Sequence, residues 1–134
     1  MKKILLVDDN DIHLLLAENI LNTKYECITA KSGKEALNYL SKGSVPDLVL
    51  LDILMPEMSG WETYNKIRGI SLLRDVPIAF LTSVGGFLEK MEADKIGAAD
   101  YIEKPYKGDE LLKRVETIIE KQERKLWEFK YIGA

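Results

Sequence analysis

Two apolar quartets constrain this chain more than any other feature. They are Ile4-Leu5-Leu6-Val7 and Leu48-Val49-Leu50-Leu51, each unbroken by a polar residue and each ending on acid. A strand with one wet face alternates apolar and polar residues, so an unbroken run predicts a strand covered on both faces. Asp8-Asp9 follow the first run and Asp52 follows the second. Tyr25 to Ala30, Ile78 to Leu81 and Tyr101 to Glu103 read as three further short strands.

The stretches between them carry helical spacing. Ile12 to Leu21 has Ile12, Leu15, Leu16 and Ile20 on one face. Ser32-Gly33-Lys34-Glu35 is a capping box, which predicts a helix running to about Lys42. Met55 to Gly60 is loop, followed by a helix from about Trp61 to Arg68. Gly85-Gly86 mark a turn before a helix from Phe87 to Ile96. A last helix begins near Gly108, with Leu111, Leu112, Val115, Ile118 and Ile119 facing inward. Five strands alternating with five helices predict an α/β, doubly wound, five-stranded parallel sheet. The order expected is 2-1-3-4-5, the flavodoxin-like arrangement, whose ligand site lies at the carboxyl ends of strands one and three. Those ends carry Asp8, Asp9 and Asp52.

Three carboxylates sharing one crevice repel one another unless protons or a cation intervene. An all-oxygen donor set favours a hard divalent ion, and few protein ligands in an open site favour Mg²⁺. A single acid after a strand is more often a helix cap; two strands delivering acids to one switch point weaken that reading. Thr82 follows the fourth strand and Lys104 the fifth, so a hydroxyl and an ammonium share the same sheet edge. Together with a metal they would cradle a phosphoryl group.

Composition narrows the rest. In 134 residues, 46% are hydrophobic and 31% charged, as in one globular domain. A net charge of -3 gives no sign of the basic face that a nucleic-acid or anionic-membrane binder needs. The apolar run at the start stops at Asp8, too short for a signal peptide, and the expected setting is cytoplasmic. Cys27, the single cysteine, reads as an ordinary strand residue. His13 reads as a solvated helix position, and Trp61 and Tyr64 as helix packing or surface aromatics.

From Ile4 to about Ile119 the chain resembles the receiver domain of two-component response regulators. Val7-Asp8-Asp9-Asn10 resembles that family's acidic pair, and Asp52 to Gly60 its phosphorylation loop. Leu81-Thr82-Ser83 resembles its switch strand, and Gly97 to Tyr106 its fifth-strand motif. The resemblance implies that Asp52 takes a phosphoryl group from a histidine kinase or phosphotransfer protein. It implies that Asp9, Asp52 and the backbone carbonyl of Leu54 bind Mg²⁺, with Asp8 acting mainly through a metal-bound water. Thr82 would bond the phosphoryl group, Lys104 would pair with it, and Tyr101 would be the aromatic switch. It further implies a cis Lys104–Pro105 bond. Leu54 and Val84 stand where the family positions its hydrolytic water, and neither can bond one, so a long-lived phosphorylated form is expected.

The resemblance implies a signalling switch, not an enzyme with a substrate of its own, acting on an unknown output partner with no direct contact to nucleic acid or membrane. Ala99 stands where the family often has a second acid used in dimer contacts. A homodimer through the last helix is therefore an open option, with Arg114 as the matching base. Lys107 stands where a capping acid is common. A flavin mononucleotide carrier would need donors where Asp8, Asp9 and Asp11 stand. A haloacid-dehalogenase-like phosphatase would carry its nucleophile after the first strand. The receiver is expected over 1–122, with 123–134 an extension or linker, and the chain either stands alone or is a module of a longer regulator. In the tail, Trp127, Phe129 and Tyr131 alternate with Glu128 and Lys130, the period of an edge strand that docks on a neighbour. The other reading is a frayed helix end with its aromatics folded back.

Overall fold

The computed structural model describes residues 1–133. Five parallel strands form one sheet: β1 (Lys3–Val7), β2 (Glu26–Ala30), β3 (Leu48–Leu51), β4 (Ile78–Thr82) and β5 (Tyr101–Glu103). Their order is β2-β1-β3-β4-β5, as the alternation of elements predicted. Helices α1 (Asp11–Leu21), α2 (Gly33–Leu40), α3 (Gly60–Arg68), α4 (Phe87–Lys95) and α5 (Gly108–Tyr131) complete the two faces.

The unbroken quartets feed both faces at once. Ile4 and Leu6 of β1, with Leu48 and Leu50 of β3, pack under α1 and α5 against Leu14, Ala17, Leu111 and Val115. Leu5, Val7, Val49 and Leu51 point the other way, onto Ala36, Leu40, Tyr64 and Ile67 of α2 and α3. Period two along each strand therefore builds two cores from one run. Phe80 of β4 is fully buried in the second core, its ring centroid 4.8 Å from that of Trp61 and 5.8 Å from that of Tyr64. Those two aromatics are thus packing residues.

Helix starts follow local chemistry. The Ser32 side chain accepts from the Glu35 amide at 3.0 Å, the bond the capping box predicted. Asn10 and Ser59 cap α1 and α3 in the same way, accepting from the amides of His13 and Glu62. Lys107, at the N-cap of α5, makes no side-chain cap bond.

Two expectations fail. In α1 the buried residues are Leu14, Ala17 and Leu21, whereas Ile12, Leu15 and Leu16 are 76%, 57% and 52% exposed. Both sets have helical spacing, and at about 100° per residue they lie on roughly opposite sides; of the face chosen from sequence only Ile20 packs on the core. The tail is the second failure. Residues that alternate like an edge strand instead continue α5 without a break to Tyr131. From Glu120 to Tyr131 the sequence has no glycine or proline and is rich in Glu, Lys, Gln, Arg and Leu. Helix propensity therefore outweighs a three-residue alternation. Gly133, at φ 75°, ends the helix, its amide bonding the Glu128 carbonyl at 3.2 Å. The aromatics do not fold back: Trp127, Phe129 and Tyr131 are 55%, 72% and 62% exposed.

Candidate functional site: an acidic pocket at the strand ends

Parallel register brings the site together. Val7 of β1 pairs with Leu51 of β3, so the residues that follow, Asp8 and Asp52, stand side by side. The Asp52 amide bonds the Val7 carbonyl at 2.9 Å. Asp8, Asp9 and Asp52 each bring an oxygen within 4.8 Å of the others, so the cluster could hold a metal ion. Asp8 and Asp52 are buried, while Asp9 is exposed and keeps the pocket open on one side.

The two buried carboxylates are oriented alike. Asp8 Oδ1 accepts from the Asn10 amide at 2.9 Å, and Asp52 Oδ1 from the Ile53 amide at 2.8 Å. That leaves each Oδ2 facing Lys104, whose Nζ lies 2.5 Å from Asp8 and 3.5 Å from Asp52. Lys104 follows β5, and the Lys104–Pro105 bond is cis, as expected. Thr82, wholly buried at the end of β4, completes the set. Burial pushes the Asp52 carboxyl above the usual carboxylate range, and the charge of Asp8 adds to this; Thr82, Lys104 and the Ile53 amide pull it back without cancelling the rise. A carboxyl whose charge is costly to hold alone is one that a cation would stabilise.

One residue joins this pocket to the surface. The Val84 amide donates to Thr82 Oγ1 at 3.2 Å, and the Val84 carbonyl accepts from the Tyr101 hydroxyl at 2.5 Å. The hydroxyl in the pocket and the phenol on β5 are thus one residue apart, and Tyr101 is turned in over Phe80, with ring centroids at 6.1 Å. Burial, reinforced by Glu89, Glu103 and Asp52, pushes its phenol up. Leu54, in the loop after Asp52, is 68% exposed.

Sequence reasoning missed His13. Its Nδ1 lies 2.9 Å from Lys104 Nζ and 3.8 Å from Asp8 Oδ2, at the lip of the pocket. The signal was present: helical side chains lean toward the N-terminus, so a residue in the first turn of α1 reaches back over the end of β1. Other residues stand where expected or are accounted for. Cys27 is half-buried on β2, and burial, aided by Glu18, pushes its thiol up to about 11, which leaves it unreactive. Arg114 makes a bidentate pair with Asp100 of its own chain, at 2.9 and 2.6 Å, so the base proposed for a dimer contact already has a partner.

Residues 4–116 match the family model for the response regulator receiver domain, and the chain belongs to that family. It is 44% identical over 108 residues to the uncharacterized transcriptional regulatory protein YrkP of Bacillus subtilis, covering 81% of this chain and 45% of that protein. It is 37% identical to the alkaline phosphatase synthesis transcriptional regulatory protein PhoP of the same organism, over 91% of this chain and 50% of that one. The chain thus spans about half the length of these relatives. Among solved structures, the chemotaxis protein CheY4 of Vibrio cholerae superposes with a TM-score of 0.82 at 32% identity, covering 88% of this chain and 98% of that one. Receiver domains of two-component systems interact with histidine kinases and with output domains. Among the described residues no helix is long and apolar enough to cross a membrane.

Proposed function

We propose that this receiver is a phosphoacceptor switch in which Asp52 takes a phosphoryl group from a phosphohistidine on a histidine kinase or phosphotransfer protein. An Asp52 carboxylate oxygen attacks phosphorus, the bond from phosphorus to the histidine nitrogen breaks, and the departing imidazole takes up a proton. Such a transfer needs positioning and charge neutralisation more than further covalent chemistry. Mg²⁺, held by Asp9, Asp52 and the Leu54 carbonyl with Asp8 acting through a water, would neutralise charge on the transferring group. Lys104 pairs with the phosphoryl oxygens, and Thr82 donates to them.

The observation that carries the reading is the pocket itself: three carboxylates within 4.8 Å, with an ammonium between the two buried ones. Movement of Thr82 toward the new charge would be felt at Tyr101 through Val84, which is how a local charge becomes a surface signal. On this reading the chain is a switch whose only chemistry is the gain and loss of its own phosphoryl group, and not an enzyme. A role as one module of a longer regulator fits its span of about half of YrkP and PhoP; a cytoplasmic setting is part of the same proposal.

Intact-mass measurement with a small phosphodonor tests the reading. One phosphate is expected with Mg²⁺ and none after chelation or in Asp52→Asn; incorporation that survives either change refutes it. Decay of the same sample tests the role of Leu54 and Val84. The pair Leu54→Asn and Val84→Glu should lose phosphate about tenfold faster than wild type, because polar side chains at both positions can hold the attacking water by hydrogen bonds.

A further inference from the structure

We infer that His13 is a positioning residue for Lys104, its imidazole serving as the fixed acceptor on which the ammonium turns when phosphate arrives. The inference rests on the reading of Asp52 as the phosphoacceptor. An ammonium has three hydrogens to place. The Lys104 side chain is only 9% exposed, so water can satisfy few of them. In this pocket its neighbours are Asp8 at 2.5 Å, His13 at 2.9 Å and Asp52 at 3.5 Å.

These three acceptors differ in what the reaction does to them. Asp52 becomes an acyl phosphate and loses its charge as a carboxylate. Asp8 must share its oxygens with a metal-bound water. His13 is neither phosphorylated nor among the three carboxylates that cluster for a cation. It alone can hold Lys104 in the same way before and after transfer. As the acceptor, Nδ1 carries no hydrogen, and the ring N–H sits on Nε2.

The fold holds the imidazole in place through the same residues that build the pocket. Asp8 Oδ1 fixes the Asn10 amide, and the Asn10 side chain caps the His13 amide at 3.0 Å. One turn of backbone therefore sets the distance from the end of β1 to the His13 ring. Beyond the ring lies a cavity of about 290 Å³, lined by His13, Leu16, Ser83, Lys104, Pro105 and Tyr106. Without the His13 acceptor, the Lys104 chain can relax into that space and away from Asp52.

The test compares His13→Leu, which removes the acceptor, with His13→Gln, which restores one. Phosphorylation of each by a small phosphodonor with Mg²⁺ is followed by intact mass, beside wild type and Asp52→Asn. His13→Leu should be phosphorylated about tenfold more slowly, the scale of one hydrogen bond to a charged group. His13→Gln should recover at least half of the lost rate. Wild-type speed in His13→Leu, or a His13→Gln variant as slow as His13→Leu, overturns the inference while Asp52 stays the site. Phosphate still appearing in Asp52→Asn overturns the parent reading instead.

Discussion

At the scale of single residues, Asp52 combines a place in the acidic cluster with a cost to the fold. Burial raises its carboxyl above the ordinary value of 3.8, and Thr82 and Lys104 only partly offset this. A carboxyl raised in the folded state favours folding fully below its ordinary value. That contribution is lost as pH rises through the raised value, because the native chain must then carry a buried charge. Asp52→Asn removes the charge and keeps the shape. With chelator present, the variant should melt about 3–5 °C above wild type at pH 7, the response of a domain this size to about 1 kcal/mol. Melts from pH 7 down to pH 4 should show the gap narrowing; a constant gap would exclude burial of charge as its cause. Asp8, Asp9, Asp52, Thr82 and Lys104 were legible as neighbours because each follows a strand of known order. His13 was harder to read: a first-turn side chain leans toward the end of β1, but sequence spacing alone does not say which side of α1 meets the sheet.

At the scale of elements, α1 shows why phase is harder to read than existence. Its boundaries follow from the Asn10 cap and the residues up to Leu21. Its inward face does not, since Ile12, Leu15 and Leu16 are as apolar as Leu14, Ala17 and Leu21 and equally periodic. The strands have no such ambiguity: both faces of β1 and β3 are buried, so neither face had to be chosen. The two stripes of α1 separate cleanly in denaturant unfolding. Leu14→Ala should cost about 2–5 kcal/mol, as a buried side chain does when its space cannot refill. Leu15→Ala should stay within about 0.5 kcal/mol, as exposed substitutions do. Equal losses at both positions would mean that the exposed stripe is covered in solution.

At the scale of the whole molecule, the sheet order does the positioning and α5 marks where the domain's own packing ends. Winding reverses between β1 and β3, which opens the crevice that Asp8 and Asp52 share. On the other side of the sheet edge, α5 contributes Leu111, Val115, Ile118 and Ile119 to the core and then runs on as a single helix. Gln122 still donates to the Asp75 carbonyl at 2.7 Å, and Glu123 still pairs with Lys2 at 3.6 Å. Past them the helix overhangs a groove of about 870 Å³, with Leu126 and Phe129 on its rim. Trp127 and Tyr131 pair with each other, ring centroids 5.2 Å apart, on the opposite side. Four side chains more than half exposed can contribute little to folding, since the hydrophobic gain scales with area taken from water. Deletion of residues 126–134 should therefore leave the melting temperature within about 2 °C of the full chain, a change of roughly 0.5 kcal/mol. Phosphate incorporation at Asp52 should be equally unaffected, because the pocket lies at the carboxyl ends of the strands and the overhang borders the opposite edge. A fall of about 8 °C or more in a chain that stays monomeric by light scattering would mean that the overhang packs on its own domain, and that the receiver extends to the end of α5.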